Sequence, residues 1–297
     1  VNRVPVTPSG EILARAAQIA ALDMTGSSVI RDGSHAIYQL PGQVVARIGR
    51  PGTADDAARE LAVSRWLNAS GVNTVEPVPN LPQPIVVDGR PVTWWRLVPN
   101  HRTSTPPELG VTLRALHALP VPSEPALPEY DPFVGLRERL AAASTIDHDD
   151  RAWLLRHHDD LQARYSRDQS QQTPHVIHGD AWQGNLVVTI DSGVPTLLDL
   201  DKVSTGHPDW DLIQIAVDHT DFHRISDNDY RLFVDAYGGY DVTASPRFRL
   251  LADIQELRWV GFALDRADTS SEARQQAHHR IACLRGTIPK PWIWAAL

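Results

Sequence analysis

Along the first hundred residues the apolar positions change rhythm several times. From 8 to 24 they recur at helical spacing, with Ile12, Ala16 and Ile19 on one face and Ser9 in a capping position. Residues 28–40 then alternate as strand, small-residue turn and strand, with Gly33 and Ser34 at the tip, and Val44–Ile48 reads as the next strand. A Gly/Pro break follows at Gly49–Gly52. Asp55–Ala69 returns to helical spacing, with Leu61, Ser64 and Leu67 as packing positions. Val75–Pro79 and Pro84–Val98 read as strands around an Asp88-Gly89 turn.

Beyond a linker at 100–107 the pattern becomes mainly helical. Helices are expected over Glu108–Leu119, about Phe133–Ser144 and Asp147–Tyr165, with a proline-rich loop at 120–132 between the first two. One β-like interruption stands out: Leu186–Val188 and Leu197-Leu198 read as two buried strands of a hairpin turning near Asp191–Gly193. Helices resume over Asn228–Tyr237, Pro246–Ala267 and Ser270–Arg285, and the tail from Gly286 to Trp294 reads as an apolar strap. The pattern predicts an α+β protein.

Composition narrows the classes without choosing one. The 297 residues are 42% hydrophobic and 22% charged, enough for a substantial core and two lobes, and no apolar run approaches the roughly 20 residues of a membrane span. The first residues lack a basic-then-apolar leader pattern, so the expected compartment is the cytoplasm. The single cysteine, Cys283, excludes an internal disulfide and a cysteine metal cluster. A formal net charge of -8 argues against a nucleic-acid partner and suits a cationic small molecule. His219 and His223 stand four apart, yet no third ligand is near in sequence, which favours packed or solvated histidines.

The chemistry concentrates between His178 and Leu212. His178-Gly179-Asp180 is followed by Asn185, then by the hairpin, then by Asp199-Leu200-Asp201. A hairpin of that length sets Asp180 and Asn185 at one end and returns Asp199 to the same end. Two carboxylates and an amide oxygen there suit Mg²⁺ together with a general base. Upstream, Arg47 is a lone cation in an apolar strand and needs an anion, which Glu60 on the following helix can supply. A glycine at 33 lets backbone N–H groups approach phosphate oxygens, although an ordinary hairpin has the same signature.

This ordered set resembles the aminoglycoside phosphotransferase and choline kinase-like family, which shares the protein-kinase fold; Gly206, Pro208, Asp211 and Leu212 match its following segment. The resemblance implies a two-lobe fold. Residues 1–98 would form a small β-rich nucleotide-binding lobe with one key helix, and residues 99–297 a larger, mainly helical catalytic and acceptor-binding lobe. It implies transfer of the γ-phosphoryl group of ATP or GTP to a hydroxyl of an aminoglycoside, amino sugar or amino alcohol. Asp180 is then the base, and Asn185 and Asp199 are the Mg²⁺ ligands. Gly33, Ser34, Arg47 and Glu60 serve the nucleotide phosphates, and Trp95, Arg96, Leu97 and Val98 the link that reads the base.

His178 and His117 are expected to be structural, Asp211 to pin the catalytic loop, and Asp201 to join the metal site or be solvated. Trp182 is an acceptor-side candidate. So are Asp253, Glu256 and Trp259, set against a solvated helix face with an internal Glu–Arg pair. Three other readings stay open: a protein kinase, a nucleotide-binding protein without activity, and a metal-dependent hydrolase using His178, Asp180, Asp199 and His207.

Overall fold

An amphipathic helix starts the computed structural model, which describes residues 8–32, 35–168 and 173–297. Helix α1 (Pro8–Ile19) buries Ile12, Leu13, Ala16 and Ala17. It stops five residues before the expected end at Met24. Ala21 adopts a left-handed φ of 53°, and the Leu22 N–H closes back on the Ala17 carbonyl at 2.9 Å, a helix-terminating arrangement.

The chain forms two units. The first comprises Val1–Ser104, Pro122–Leu127 and Gln183–Val203; the second comprises Thr105–Val121, Pro128–Trp182 and Ser204–Leu297. The first unit holds strands β1 (Ser28–Asp32), β2 (Ala36–Leu40), β3 (Val44–Ile48), β4 (Ile85–Val87) and β5 (Arg90–Arg96) in one sheet of order β1-β2-β3-β5-β4. Every pairing in it is antiparallel. Alternation divides its residues between two faces. Ala36, Tyr38, Leu40, Val44, Ala46, Ile48, Val92 and Trp94 share a buried core with α1. Ile37, Gln39, Val45 and Arg47 point the other way and are only half-buried or exposed.

Helix α2 (Ala54–Ala69) buries Glu60, Leu61, Val63, Ser64 and Leu67. The segment Val75–Pro79, expected as a strand, makes only an isolated bridge between Pro77 and Trp95, because Pro77 and Pro79 have no N–H to continue a ladder. The linker at 100–107 instead contains β6 (His101–Thr103), and Ser104 beyond it donates its N–H to Leu186 at 3.0 Å. A second sheet of order β6-β8-β9 follows from the hairpin of β8 (Leu186–Thr189) and β9 (Pro195–Leu197). Asn73, Thr74 and Val75 join β9 through a parallel bridge between Thr74 and Leu197 and two 2.9–3.0 Å backbone bonds.

The second unit contains α3 (Pro106–His117), α4 (Leu136–Ala142), α5 (His148–Asp168), α6 (Asp209–Thr220), α7 (Asp227–Tyr237), α8 (Phe248–Ala267) and α9 (Ser271–Leu284). A short antiparallel pair, β7 (His175–Ile177) with β10 (Ser204–Gly206), accompanies them. Helices α3 and α7 approach closely at Gly110, where an added Cβ would lie 2.7 Å from the Phe233 carbonyl oxygen. Among the described residues no helix is long and apolar enough to cross a membrane.

Candidate active site

In the second unit, β7 delivers its chain into His178-Gly179-Asp180, and α6 holds that loop from behind. Asp211, in the first turn of α6 and 1% exposed, accepts the backbone N–H of His178 at 2.6 Å and of Gly179 at 2.8 Å. Its Oδ2 also lies 3.0 Å from His117 Nε2, while His117 Nδ1 lies 2.8 Å from the Tyr237 hydroxyl. A carboxylate near a helix N-terminus is favoured by the exposed N–H groups there. Trp210 adds a bond from its indole N–H to the Gly179 carbonyl at 3.1 Å. Gly179 has a φ of 81°, a left-handed conformation that lets the loop turn between these anchors. Asp180 emerges half-buried, His178 is fully buried, and Trp182 is 43% exposed.

In the first unit, a short 3-10 turn at Gln183–Asn185 runs into β8, and the Leu198 N–H donates to the Asn185 carbonyl at 2.9 Å. That bond closes the hairpin, so Asn185 and Asp199 leave from one end. Asp199 has a left-handed φ of 55°, tolerated by aspartate at a modest cost, and its side chain is 47% exposed. An exposed carboxylate and an amide oxygen are hard donors of the kind Mg²⁺ takes in pairs, with phosphate and water filling its remaining positions.

Arg47 lies between two carboxylates, as its strand position requires. One guanidinium nitrogen pairs with Glu60 and another lies 3.2 Å from Asp199 Oδ1. Burial pushes the Glu60 carboxyl up to about 7; Arg47 opposes that rise, and the charges of Asp201 and Asp199 add to it. Burial works against the Arg47 charge, but Glu60, Asp199 and Asp201 together hold it above its ordinary value. His35, a residue the sequence reading passed over, lies in this neighbourhood. Burial and then the charge of Arg47 hold its imidazole down to about 4, with Arg50 and Arg31 adding to the effect, so it is neutral at pH 7.

Gly33 and Ser34 lie outside the described residues. Trp95 and Arg96 belong to β5, with the Trp95 indole buried and donating to the Thr93 hydroxyl at 2.8 Å. The N–H groups of Arg96 and Leu97 donate to Glu76 and Gln43 at 2.8 Å each.

The acidic and aromatic group of α8 is committed to ion pairs and packing. Arg249 reaches Asp253 at 2.7 Å, Glu256 at 2.6 Å and Asp221 at 2.7 Å, and Lys290 lies 2.5 Å from Asp221. Glu256 is 1% exposed; burial and a hydrogen bond with Asp221 push its carboxyl well above the ordinary carboxylate range. Burial also pushes Asp221 upward, but hydrogen bonds with Glu256, Lys290 and Arg249 outweigh it and leave the group below its ordinary value. Trp259 packs edge-on against Phe222 and Trp294. Asp221 stands ten residues beyond Asp211 at the opposite end of α6, about 15 Å away at 1.5 Å per residue.

Among the described residues no group of three or more His, Cys, Asp or Glu is arranged to hold a metal. The hydrolase reading loses its ligand set accordingly, since His178 is fully buried and His207 Nδ1 accepts the Asp209 N–H at 3.2 Å. His219 stacks on Tyr230 with ring centroids 4.4 Å apart, as a packed histidine.

A model of the phosphotransferase enzyme family (APH) matches residues 29–251. The chain belongs to that family. Solved structures show the same protein-kinase-like fold for this phosphotransferase. The GDP and kanamycin complex of APH(2")-IIIa is 16% identical with a TM-score of 0.70, covering 93% of this chain and 99% of its own. A choline/ethanolamine kinase family protein from Mesorhizobium loti is 17% identical with a TM-score of 0.64, covering 94% and 95%. Spectinomycin phosphotransferase APH(9)-Ia, solved with ADP and spectinomycin, is 13% identical with a TM-score of 0.65, covering 97% and 96%. A comparison with curated protein sequences finds no match.

Proposed function

We propose that this phosphotransferase is a small-molecule kinase that moves the γ-phosphoryl group of ATP or GTP to a hydroxyl of an aminoglycoside, amino sugar or amino alcohol. The observation that carries the reading is Arg47, held between buried Glu60 and exposed Asp199 on the half-open face of the first sheet. A cation so placed has a buried counter-charge behind it and presents the rest of its fork to phosphate oxygens. Ile37 and Val45, half-buried on the same face, supply apolar surface for a nucleobase. Trp95 to Val98 remain our candidates for the backbone beside the base, and Gly33 and Ser34 for the phosphate-covering turn.

Asn185 and Asp199 are the residues that would hold Mg²⁺, which would neutralise charge on the phosphates. Asp180 takes the proton of the acceptor hydroxyl or orients its oxygen for in-line attack. Residues 1–98 carry the nucleotide in this reading and 99–297 the acceptor, with Trp182 on the acceptor side. A cationic acceptor rests on the chain's net charge of -8 and on the solved relatives that hold aminoglycosides. Asp253, Glu256 and Trp259 add little to it, because Arg249 and aromatic packing already occupy them.

The test is an ATP- and GTP-consumption screen with Mg²⁺ against kanamycin, spectinomycin, choline, ethanolamine and glucosamine, with phosphorylated product identified by mass. Glucose joins the screen as a neutral sugar, and turnover of at least one amino-bearing alcohol is expected. Turnover only of neutral sugars would remove the cationic-acceptor reading, and absence of any transfer would remove the small-molecule reading.

A further inference from the structure

The loop at 120–132 shows no chemistry in its sequence, yet its last part joins the loop that carries Asp180. Glu129 forms a parallel bridge with Thr205 of β10. The Tyr130 N–H donates to the Thr205 carbonyl at 2.9 Å, and the Thr205 N–H donates to Pro128 at 2.8 Å. Residues 128–130 thus lie alongside β10, whose other edge pairs with β7, the strand that runs into His178-Gly179-Asp180.

Tyr130 is consequently held beside the loop, where Trp210 meets it. Its ring packs on Trp210 with centroids 5.1 Å apart, and Trp210 is the residue whose indole N–H holds the Gly179 carbonyl at 3.1 Å. Arg258 borders the same indole, its guanidinium carbon 5.5 Å from the ring centroid, and donates to the Pro132 carbonyl at 2.7 Å. Tyr130 is 9% exposed, and among the described residues its hydroxyl has no hydrogen-bond partner. A buried hydroxyl left in that state costs free energy, and a chain that needed only the ring could use phenylalanine. Such a group calls for a partner from outside the chain, a water, an ion or a ligand.

We infer that Tyr130 is an acceptor-binding residue, its hydroxyl making a hydrogen bond to a polar group of the acceptor beside the hydroxyl that Asp180 engages. The inference rests on the reading of Asp180 as the base. Electrostatics agree with the placement. Burial pushes the Tyr130 hydroxyl above its ordinary range; Arg258 opposes that, and the charges of Asp180 and Asp211 add to it. The group therefore keeps its proton at neutral pH and acts as a neutral donor and acceptor. Its complement is a hydroxyl or amino group near the reacting oxygen, which a polyol or amino alcohol carries and a simple monohydric alcohol lacks.

Tyr130→Phe removes the oxygen and nothing else. Using the full chain with Mg-ATP, kcat and KM are measured for whichever of kanamycin, spectinomycin, ethanolamine and glucosamine the wild type phosphorylates, with melting temperature and ATP KM alongside. Loss of one hydrogen bond to the acceptor predicts a fall of about 10-fold in acceptor kcat/KM. ATP KM should stay within about two-fold and the melting temperature should hold or rise, since an unpaired buried group has been deleted. The loss should be the same from pH 6 to pH 9. Wild-type acceptor kinetics in Tyr130→Phe would overturn the inference alone, and so would a variant that no longer folds, which would make the hydroxyl structural. A wild type that phosphorylates choline alone would also overturn the inference, because choline has no second hydrogen-bonding group, whereas one that transfers to none of the compounds fails the proposed function, and this inference falls with it.

Discussion

Asp211→Asn tests whether α6 positions the catalytic loop. The carboxylate of Asp211 meets three hydrogen-bonding groups at once: the N–H of His178 at 2.6 Å, the N–H of Gly179 at 2.8 Å and His117 Nε2 at 3.0 Å. Asparagine has nearly the same shape but only one acceptor oxygen. Whichever way its amide turns, an NH₂ group faces at least one N–H donor at a distance suited to an acceptor. Each bond to the charged group contributes about 1.5–3 kcal/mol, and a buried donor left unpaired adds about 1–3 kcal/mol. One lost bond and one orphaned donor together give a loss of about 3–5 kcal/mol. Urea unfolding measures it directly, as a lower midpoint at unchanged slope. Turnover should fall further than folding explains, because displacing Asp180 by about 1 Å costs on the order of 100-fold in rate. Asp180→Asn is the comparison: it leaves the three contacts of Asp211 in place, so its loss of turnover reports Asp180 itself and not the clamp. An Asp211→Asn protein within about 1 kcal/mol of wild type, with full turnover, would refute the clamp.

Asp180→Ala should lower transfer by about 100-fold or more while nucleotide affinity, from titration calorimetry, stays within about three-fold; strong residual turnover would remove its role as base. Glu60 gives a pH signature. Its carboxyl in the folded chain is raised to about 7 from an ordinary 4.5 by burial, so its stabilising contribution is full below about 4.5 and is lost as pH rises through about 7. Between pH 5 and pH 8 the wild type should lose up to about 3 kcal/mol more than Glu60→Gln, and parallel profiles for the two proteins would refute the shift. Lys290→Met removes one of the two cations that meet Asp221 and one of the ties of the C-terminal strap. Urea unfolding should show a loss of about 1–3 kcal/mol, with a change in tryptophan fluorescence from Trp292 and Trp294, and an unchanged midpoint would make the lysine contact superficial.

What the sequence revealed of this site follows from how local each part is. Arg47 and Glu60 were legible because strand alternation isolates one cation and helix spacing then offers one carboxylate. Both consequences hold within a span of fourteen residues. Asn185 and Asp199 were legible for a similar reason, since the hairpin between them is short and its strands are plainly apolar. The three-residue strands β6, β7 and β10 have no length over which a period can be seen, so only the fold reveals them. The acidic face of α8 holds the internal Glu–Arg pair that stood as one of its two readings, although not with the nearest arginine. Glu256 and Arg258 are two apart and cannot face each other on a helix. The partner is Arg249, two turns earlier, and Lys290 completes the group from a tail remote in sequence.

Helix α6 explains why one end of the second unit looks catalytic and the other does not. Its first turn carries Trp210 and Asp211, which hold the backbone of Gly179 and His178 next to Asp180, our candidate base. Its last residue is followed by Asp221, which collects Arg249, Lys290 and through them Glu256 and the C-terminal strap. Asp221, about 15 Å from Asp211 along α6, cannot bind the amine of a small amino alcohol whose hydroxyl sits at Asp180 in our reading, because such a molecule is shorter than that separation. In our reading, recognition of a small acceptor then falls to residues at the Asp211 end. Tyr130 is placed there by a β-bridge, and Trp182 by its two-residue distance from Asp180. An acceptor long enough to reach Asp253 as well would have to displace Arg249 from it, so Asp253→Ala should leave choline kinetics unchanged even if it alters those of kanamycin.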